Sequence, residues 1–265
     1  MIHRLSKTFW LLLVLVFVGA GCDLTGGKEP SGYRLLMDPD LAIPDYASRA
    51  VESAGGRHAW AKVKKLQFHC VVTFYQPDGS FYLTEQQHEI YPWSNIIRIS
   101  ALEPQGNFVW QLSKAKFRTI EGSQQADFLP APMSARGLAE AILNITTAPA
   151  RLLDSSFASF TKVDTPVKIE GVWYYPIGQS RKVVDPYWSK VLFCQNRDSS
   201  LVDILWFADV DEQKFLAVRG YDYRKVEKQG VLVPTGIEIF TTDAAGTLQK
   251  RLVKIDYHKL LHIPE

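Results

Sequence analysis

The feature that most constrains this chain is a two-residue period that recurs along most of its length. From residue 66, Leu66, Phe68, Cys70, Val72 and Phe74 alternate with Gln67, His69 and Thr73. Successive side chains of a strand point to opposite faces, so this pattern builds a strand with one buried face. Gln76-Pro77-Asp78-Gly79 follows, in which Pro presets φ and Gly supplies a positive φ, and the chain returns as a second strand over 80–91. Further strands are expected over 95–101, 107–113 and 116–121, and then over 157–163, 167–177, 188–196, 201–208, 214–226, 231–242 and 247–258. Short connections make sequential strands antiparallel neighbours.

Two helical stretches interrupt the pattern. Residues 46–63 place Ala47, Ala50 and Val51 on one face, break at Gly55-Gly56 and resume with Trp60 and Val63. Asp45, after Pro44, is placed to cap the start. Ser134 is the expected cap of a helix running to about residue 145, with Leu138, Ile142 and Ile145 on one face and Pro149 as its terminator. The fold class is therefore α+β: one long curved antiparallel sheet, a half-barrel of about eleven or twelve strands, with helices covering its concave side. Twist of roughly 20° per strand keeps such a sheet from staying flat.

The first residues have a different character. Arg4 and Lys7 precede an unbroken apolar run over 9–18. That run is about ten residues long, and about twenty are needed to span a bilayer, so it reads as the core of an export signal. Gly19-Ala20-Gly21-Cys22 follows. This segment resembles the lipobox of bacterial lipoproteins, with Gly19 where Leu is usual. The resemblance implies a signal peptide over 1–21, lipid on Cys22 as the new N-terminus, and a protein held at a membrane facing the periplasm. Asp23 resembles the inner-membrane retention signal of enteric bacteria, which is not universal, so inner or outer membrane stays open. Residues 22–44, rich in Gly, Pro and Asp, read as a flexible tether, and 45–265 as a single domain.

Charge narrows the partners. The 30 basic residues less Arg4 and Lys7 equal the 28 acidic ones, so the chain beyond its first 21 residues is formally neutral. No basic field is left to recruit nucleic acid, and membrane contact is expected through the lipid. Cys70 and Cys194 fall in strand-like runs, and their spacing leaves a bridge between them open. His258 and His262 have i, i+4 spacing, but where the strand pattern ends, which favours a surface tail over a metal site. Asp209-Val210-Asp211-Glu212 lacks the Gly and further acids of a calcium loop and reads as a polar turn. His69 and His88 read as solvated residues of the first hairpin. Trp173-Tyr174-Tyr175 and Tyr187-Trp188 read as stiffening of the sheet, with a pocket mouth as the alternative. No GxSxG elbow, phosphate loop or dinucleotide fingerprint occurs, and no cofactor or enzymatic activity is expected.

The order of elements has a precedent. An N-terminal helix carrying Ala54-Gly55-Gly56 and Trp60 leads through Val63 and Leu66 into a long meander, which a central helix interrupts. Tyr223-Arg224-Lys225-Val226, Gly230-Val231-Leu232-Val233-Pro234 and the turn over 243–246 then close the chain. This arrangement resembles the LolA/LolB half-barrel superfamily of exported carriers and receptors. The resemblance implies an apolar cavity between sheet and helices that takes an acyl chain, a lipid or an acylated protein. On the inferred inner faces, Phe68, Val72, Phe74, Ile97, Ile99, Phe108 and Trp110, with Leu138 and Ile142 opposite, are the candidate ligand-binding residues. Alternation says which side is inside, not whether the inside is empty. A scaffold with a filled core and a hydrolase assembled from distant residues are the rival readings.

Overall fold

A computed structural model describes residues 45–114, 116–122, 126–153, 158–181, 188, 190–209 and 214–261. The proposed signal, Cys22 and the tether lie outside the described residues. Two short helices open the domain, α1 (Asp45–Ser53) and α2 (Arg57–Ala61). Asp45 is the first residue of α1 and not its cap. Gly55 (φ 110) and Gly56 (φ 86) turn the chain between the two helices. Gly55 sits so close to the 230–231 backbone that a Cβ there would lie 2.5 Å from Gly230 O.

The first meander comprises β1 (Leu66–Tyr75), β2 (Phe81–Tyr91), β3 (Ile96–Glu103), β4 (Phe108–Ser113) and β5 (Lys116–Gly122). Helices α3 (Ala135–Thr146) and α4 (Ala148–Leu153) follow, and then β6 (Ala158–Lys162), β7 (Val167–Ile169), β8 (Val172–Arg181), β9 (Lys190–Asn196), β10 (Val202–Asp209), β11 (Lys214–Lys225), β12 (Leu232–Thr242) and β13 (Leu248–Leu261). All belong to one sheet, in the order β5-β4-β3-β2-β1-β13-β12-β11-β10-β9-β8-β6, with β7 also on β8. Every pairing is antiparallel. Among the described residues the count is thirteen, above the eleven or twelve expected, because 167–177 is not one strand. Glu170 (φ 45) and Gly171 (φ 88) both take positive φ there and fold it into the hairpin β7–β8.

The sheet curls, and α3 shows how far. This helix packs against β3 and β4 and also against β10, β11 and β12. In a flat sheet β4 and β11 would lie six spacings apart, about 29 Å at ~4.8 Å each. A twelve-residue helix is only about 18 Å long. Both halves of the sheet therefore wrap round the helix, while the edges β5 and β6 stay unjoined. The result is a half-barrel, and α3 is buried on nearly every side, as a helix lying in a trough must be.

Local chemistry explains the helix ends. Ser134 caps α3, its Oγ accepting from Gly137 N at 3.0 Å. The break falls at Thr147, whose hydroxyl donates back to Leu143 O at 2.6 Å. Pro149 does not terminate α3. It stands in the first turn of α4, where the N–H it lacks would have had no helical partner.

Candidate functional site

The nine residues expected to bind ligand are brought together. Phe68, Val72 and Phe74 of β1, Ile97 and Ile99 of β3, Phe108 and Trp110 of β4, and Leu138 and Ile142 of α3 all belong to one buried apolar cluster on the concave side. One end of the trough is closed by aromatic rings. Phe108 stacks on Trp110 at 3.9 Å between centroids. Phe128, from the segment between β5 and α3, reaches in to lie 4.6 Å from Tyr82 and 5.1 Å from Phe74. Gln76 fastens it there, Nε2 donating to Phe128 O at 2.7 Å.

The opposite end is open. At the start of β1 and the end of β13 lies a hollow of about 480 Å³, within the range of small-molecule sites. Leu66, Phe68, Val226, Val233 and Tyr257 give it an apolar wall. All five belong to the same cluster as the rest of the trough, so the hollow backs directly onto the core. Lys65, Arg224, Lys225, Glu227, Lys228 and His258 surround its mouth. Of the nine expected residues Phe68 borders this hollow, and the other eight lie in the core behind it. Leu66 was legible as the first position of the β1 alternation. Val226, Val233 and Tyr257 come from strand ends and a turn far away in sequence, which no local pattern links to β1.

Behind Tyr257 runs a buried polar stripe that sequence reasoning missed. The register pairs Phe68 with His88 and His69 with Gln87. His69 stays half-buried against Gln87, whereas Gln86 and His88 turn inward and are wholly buried. His88 is therefore not a residue of a solvated face. The misreading has a local cause: the inward positions of β2 include Thr84, Gln86 and His88, so apolar alternation does not mark that face. His88 Nδ1 lies 2.9 Å from Tyr257 OH and its Nε2 lies 2.8 Å from Gln86 Oε1. One arrangement satisfies both, with the tyrosine donating to Nδ1 and Nε2–H donating to the amide oxygen. Burial drives the His88 pKa down to about 3, so the ring is neutral at neutral pH. Cys70 Sγ sits 3.6 Å from His88 Nε2, and burial pushes its pKa well up. This group supplies neither a thiolate nor a base at neutral pH. It supplies uncharged hydrogen-bonding groups on an apolar floor, and Gln86 Nε2 there is buried without a hydrogen-bond partner.

The other cysteine faces the opposite way. Cys194 packs with Tyr174 and Ile204 in a separate small cluster on the convex face, so the bridge left open above does not form, and both thiols are free. Tyr174 is thereby the buried member of its aromatic stretch, while Trp173 is exposed. Nearby, burial raises Asp203 to about 6, although Asn196 Nδ2 donates to its Oδ2 at 2.8 Å. Residues 210–212 of the acidic turn, together with Tyr187 and His262, lie outside the described residues.

No family model matches the sequence, and no curated protein matches it. Solved structures do resemble it. A LolA superfamily protein from Nitrosomonas europaea aligns with a TM-score of 0.53 and 15% identity, covering 84% of this chain and 96% of that one. A domain from Vibrio parahaemolyticus, described as an outer membrane lipoprotein-sorting protein, aligns with a TM-score of 0.45 and 10% identity, covering 81% and 92%. The chain has a LolA-like fold.

Proposed function

We propose that this protein is a non-enzymatic lipoprotein of the cell envelope, moored by lipid on Cys22 and facing the periplasm. Its half-barrel shelters an acyl chain, free or carried by a lipid or acylated protein, during envelope lipid or lipoprotein handling. One observation carries the reading: the apolar-walled hollow of about 480 Å³ at the open end of the trough. At the ~30 Å³ of a water-sized group, it has room for on the order of fifteen methylenes. Each methylene withdrawn from water contributes about 0.8 kcal/mol, which a chain of that size turns into useful affinity even after ordering is subtracted. The concave cluster, Val72, Phe74, Ile97, Ile99, Phe108, Trp110, Leu138 and Ile142, is the packed apolar core behind the hollow, and a longer tail would have to displace its side chains.

Native mass spectrometry of the purified chain tests this. The expected spectrum has an adduct of acyl-chain mass, or gains one on incubation with monolaurin. A protein that neither carries nor takes up such a molecule overturns the reading. The anchor is tested separately: Cys22→Ser is expected to move the protein from the membrane to the soluble fraction. Membrane association unchanged by the substitution removes the lipidated cysteine from the account.

A further inference from the structure

We propose that the protein has a second binding site, on the convex face of the sheet, which takes a compact monocarboxylate with an apolar body. The site is separate from the trough and does not depend on the acyl-chain reading. The observation behind it is a hollow of about 310 Å³ whose back is formed by Cys194, Ile204 and Ala217. The register explains why space is left there. Leu192, Trp206, Ala217 and Phe240 follow one another across β9, β10, β11 and β12 as directly opposed residues, so they share one face. Ala217 is the small member of that row, and a notch opens beside the indole.

Two elements raise walls over the notch. The β7–β8 hairpin leans in from the edge of the sheet: Ile169 packs on the Cys194–Ile204 cluster, and Glu170 at its tip pairs with Arg219 of β11. Opposite it stands the turn between β12 and β13, which is preformed, Asp243 Oδ1 accepting from Ala245 N and Thr247 N at 2.9 Å each. Ile169, Leu192, Trp206 and Leu248 are half-buried and Val167 is 37% exposed, so the walls present apolar surface to a ligand. Trp206 Nε1 is spent on Thr242 Oγ1 at 3.0 Å, which leaves the ring to the hollow. Lys190 alternates onto the same face of β9 as Leu192 and Cys194, and its Nζ lies 5.6 Å from the centre of the Trp206 ring. Lys168 borders the hollow too, but it turns away from the sheet, over the exposed ring of Trp173. The site thus offers one cation above an apolar slot, which fits one carboxylate on a ring or short chain. At ~30 Å³ per group, the slot admits about ten non-hydrogen atoms.

Ligand-observed NMR and isothermal titration of the purified chain test this with three probes: 3-phenylpropionate, 3-phenylpropan-1-ol and acetate. The acid is expected to saturate at a concentration on the order of 1 mM, and to bind about threefold more tightly than the alcohol at low salt. Acetate is expected not to bind at the same concentrations. Lys190→Gln, at an exposed position, is expected to abolish the preference and leave the alcohol unchanged. Ala217→Leu fills the notch and is expected to weaken both probes at least tenfold; should that variant not fold, Lys190→Gln and competition still decide. Added monolaurin is expected to leave phenylpropionate binding unaltered. Failure of both phenyl probes to bind, displacement by monolaurin, or full affinity in folded Ala217→Leu overturns the site. Equal affinity for acid and alcohol, a preference that survives Lys190→Gln, or acetate binding as tightly as phenylpropionate overturns its assignment to apolar monocarboxylates.

Discussion

Trp60→Ala is expected to lower the unfolding free energy by about 3–5 kcal/mol, the usual cost of deleting a large buried aromatic. Trp60 is fully buried, and three elements meet on it. Its Nε1 donates to Ala54 O at 3.1 Å, the carbonyl that also receives Leu232 N at 2.8 Å from the start of β12. Its own backbone oxygen accepts from Trp93 Nε1 at 3.3 Å, on the turn between β2 and β3. Truncation empties the space and loosens the attachment of α1 and α2 to both halves of the sheet. At 2–4 °C per kcal/mol for a domain of this size, the melting temperature is expected to fall on the order of 10 °C. Thermal melts followed by circular dichroism would measure it, with Trp60→Phe as a milder companion. A loss under about 1 kcal/mol would mean that the N-terminal helices stand apart from the core.

The second large effect is in acid. In the unfolded chain His88 takes a proton near 6.5, whereas in the folded chain it does so only near 3. Below pH 6.5 the unfolded state is therefore favoured by a proton that the native state refuses, and His88 removes about 1.4 kcal/mol per pH unit as pH falls towards 3. Asp203 has the opposite sign. Its pKa is raised from 3.8 to about 6, so the native state takes its proton first and gains stability as pH falls from 6 to 3.8. In the natural chain these two contributions largely cancel across that window. His88→Gln uncovers the asymmetry: relative to the natural chain, it is expected to gain on the order of 3 kcal/mol by pH 4. Asp203→Asn is expected to steepen the acid loss instead. Urea unfolding at pH 7, 5.5 and 4 reads both, and parallel curves for the natural chain and His88→Gln would refute the assignment.

Sequence patterning reached the large elements because their physics is local. Alternation marked β1 and β3, spacing and Ser134 marked α3, and Gly55-Gly56 marked the break between α1 and α2. It failed where a local rule was overruled by surroundings. The inward face of β2 is polar, so His88 looked solvated. The turn at Glu170-Gly171 lay inside an aromatic run that otherwise reads as one strand. Phe128 sits in a proline-bearing connection with no period, yet it completes the aromatic cluster at one end of the trough. The hollow itself has no signature, because strand ends distant in sequence enclose it. The cations at its mouth sit at strand ends and in a turn, where charged residues ordinarily mean only solvent.

The strand order has a consequence for how the molecule comes into being. β1 and β13 are neighbours in the middle of the sheet, so the seam joining its two halves links the earliest strand to the latest. Made from its N-terminus, the chain can assemble β1–β5 early, but it leaves β1 with a bare flank until the final fourteen-residue strand arrives. Completion is then a late, long-range event of the kind that slows folding, and a short C-terminal truncation would split the sheet at its centre and not merely shorten its rim.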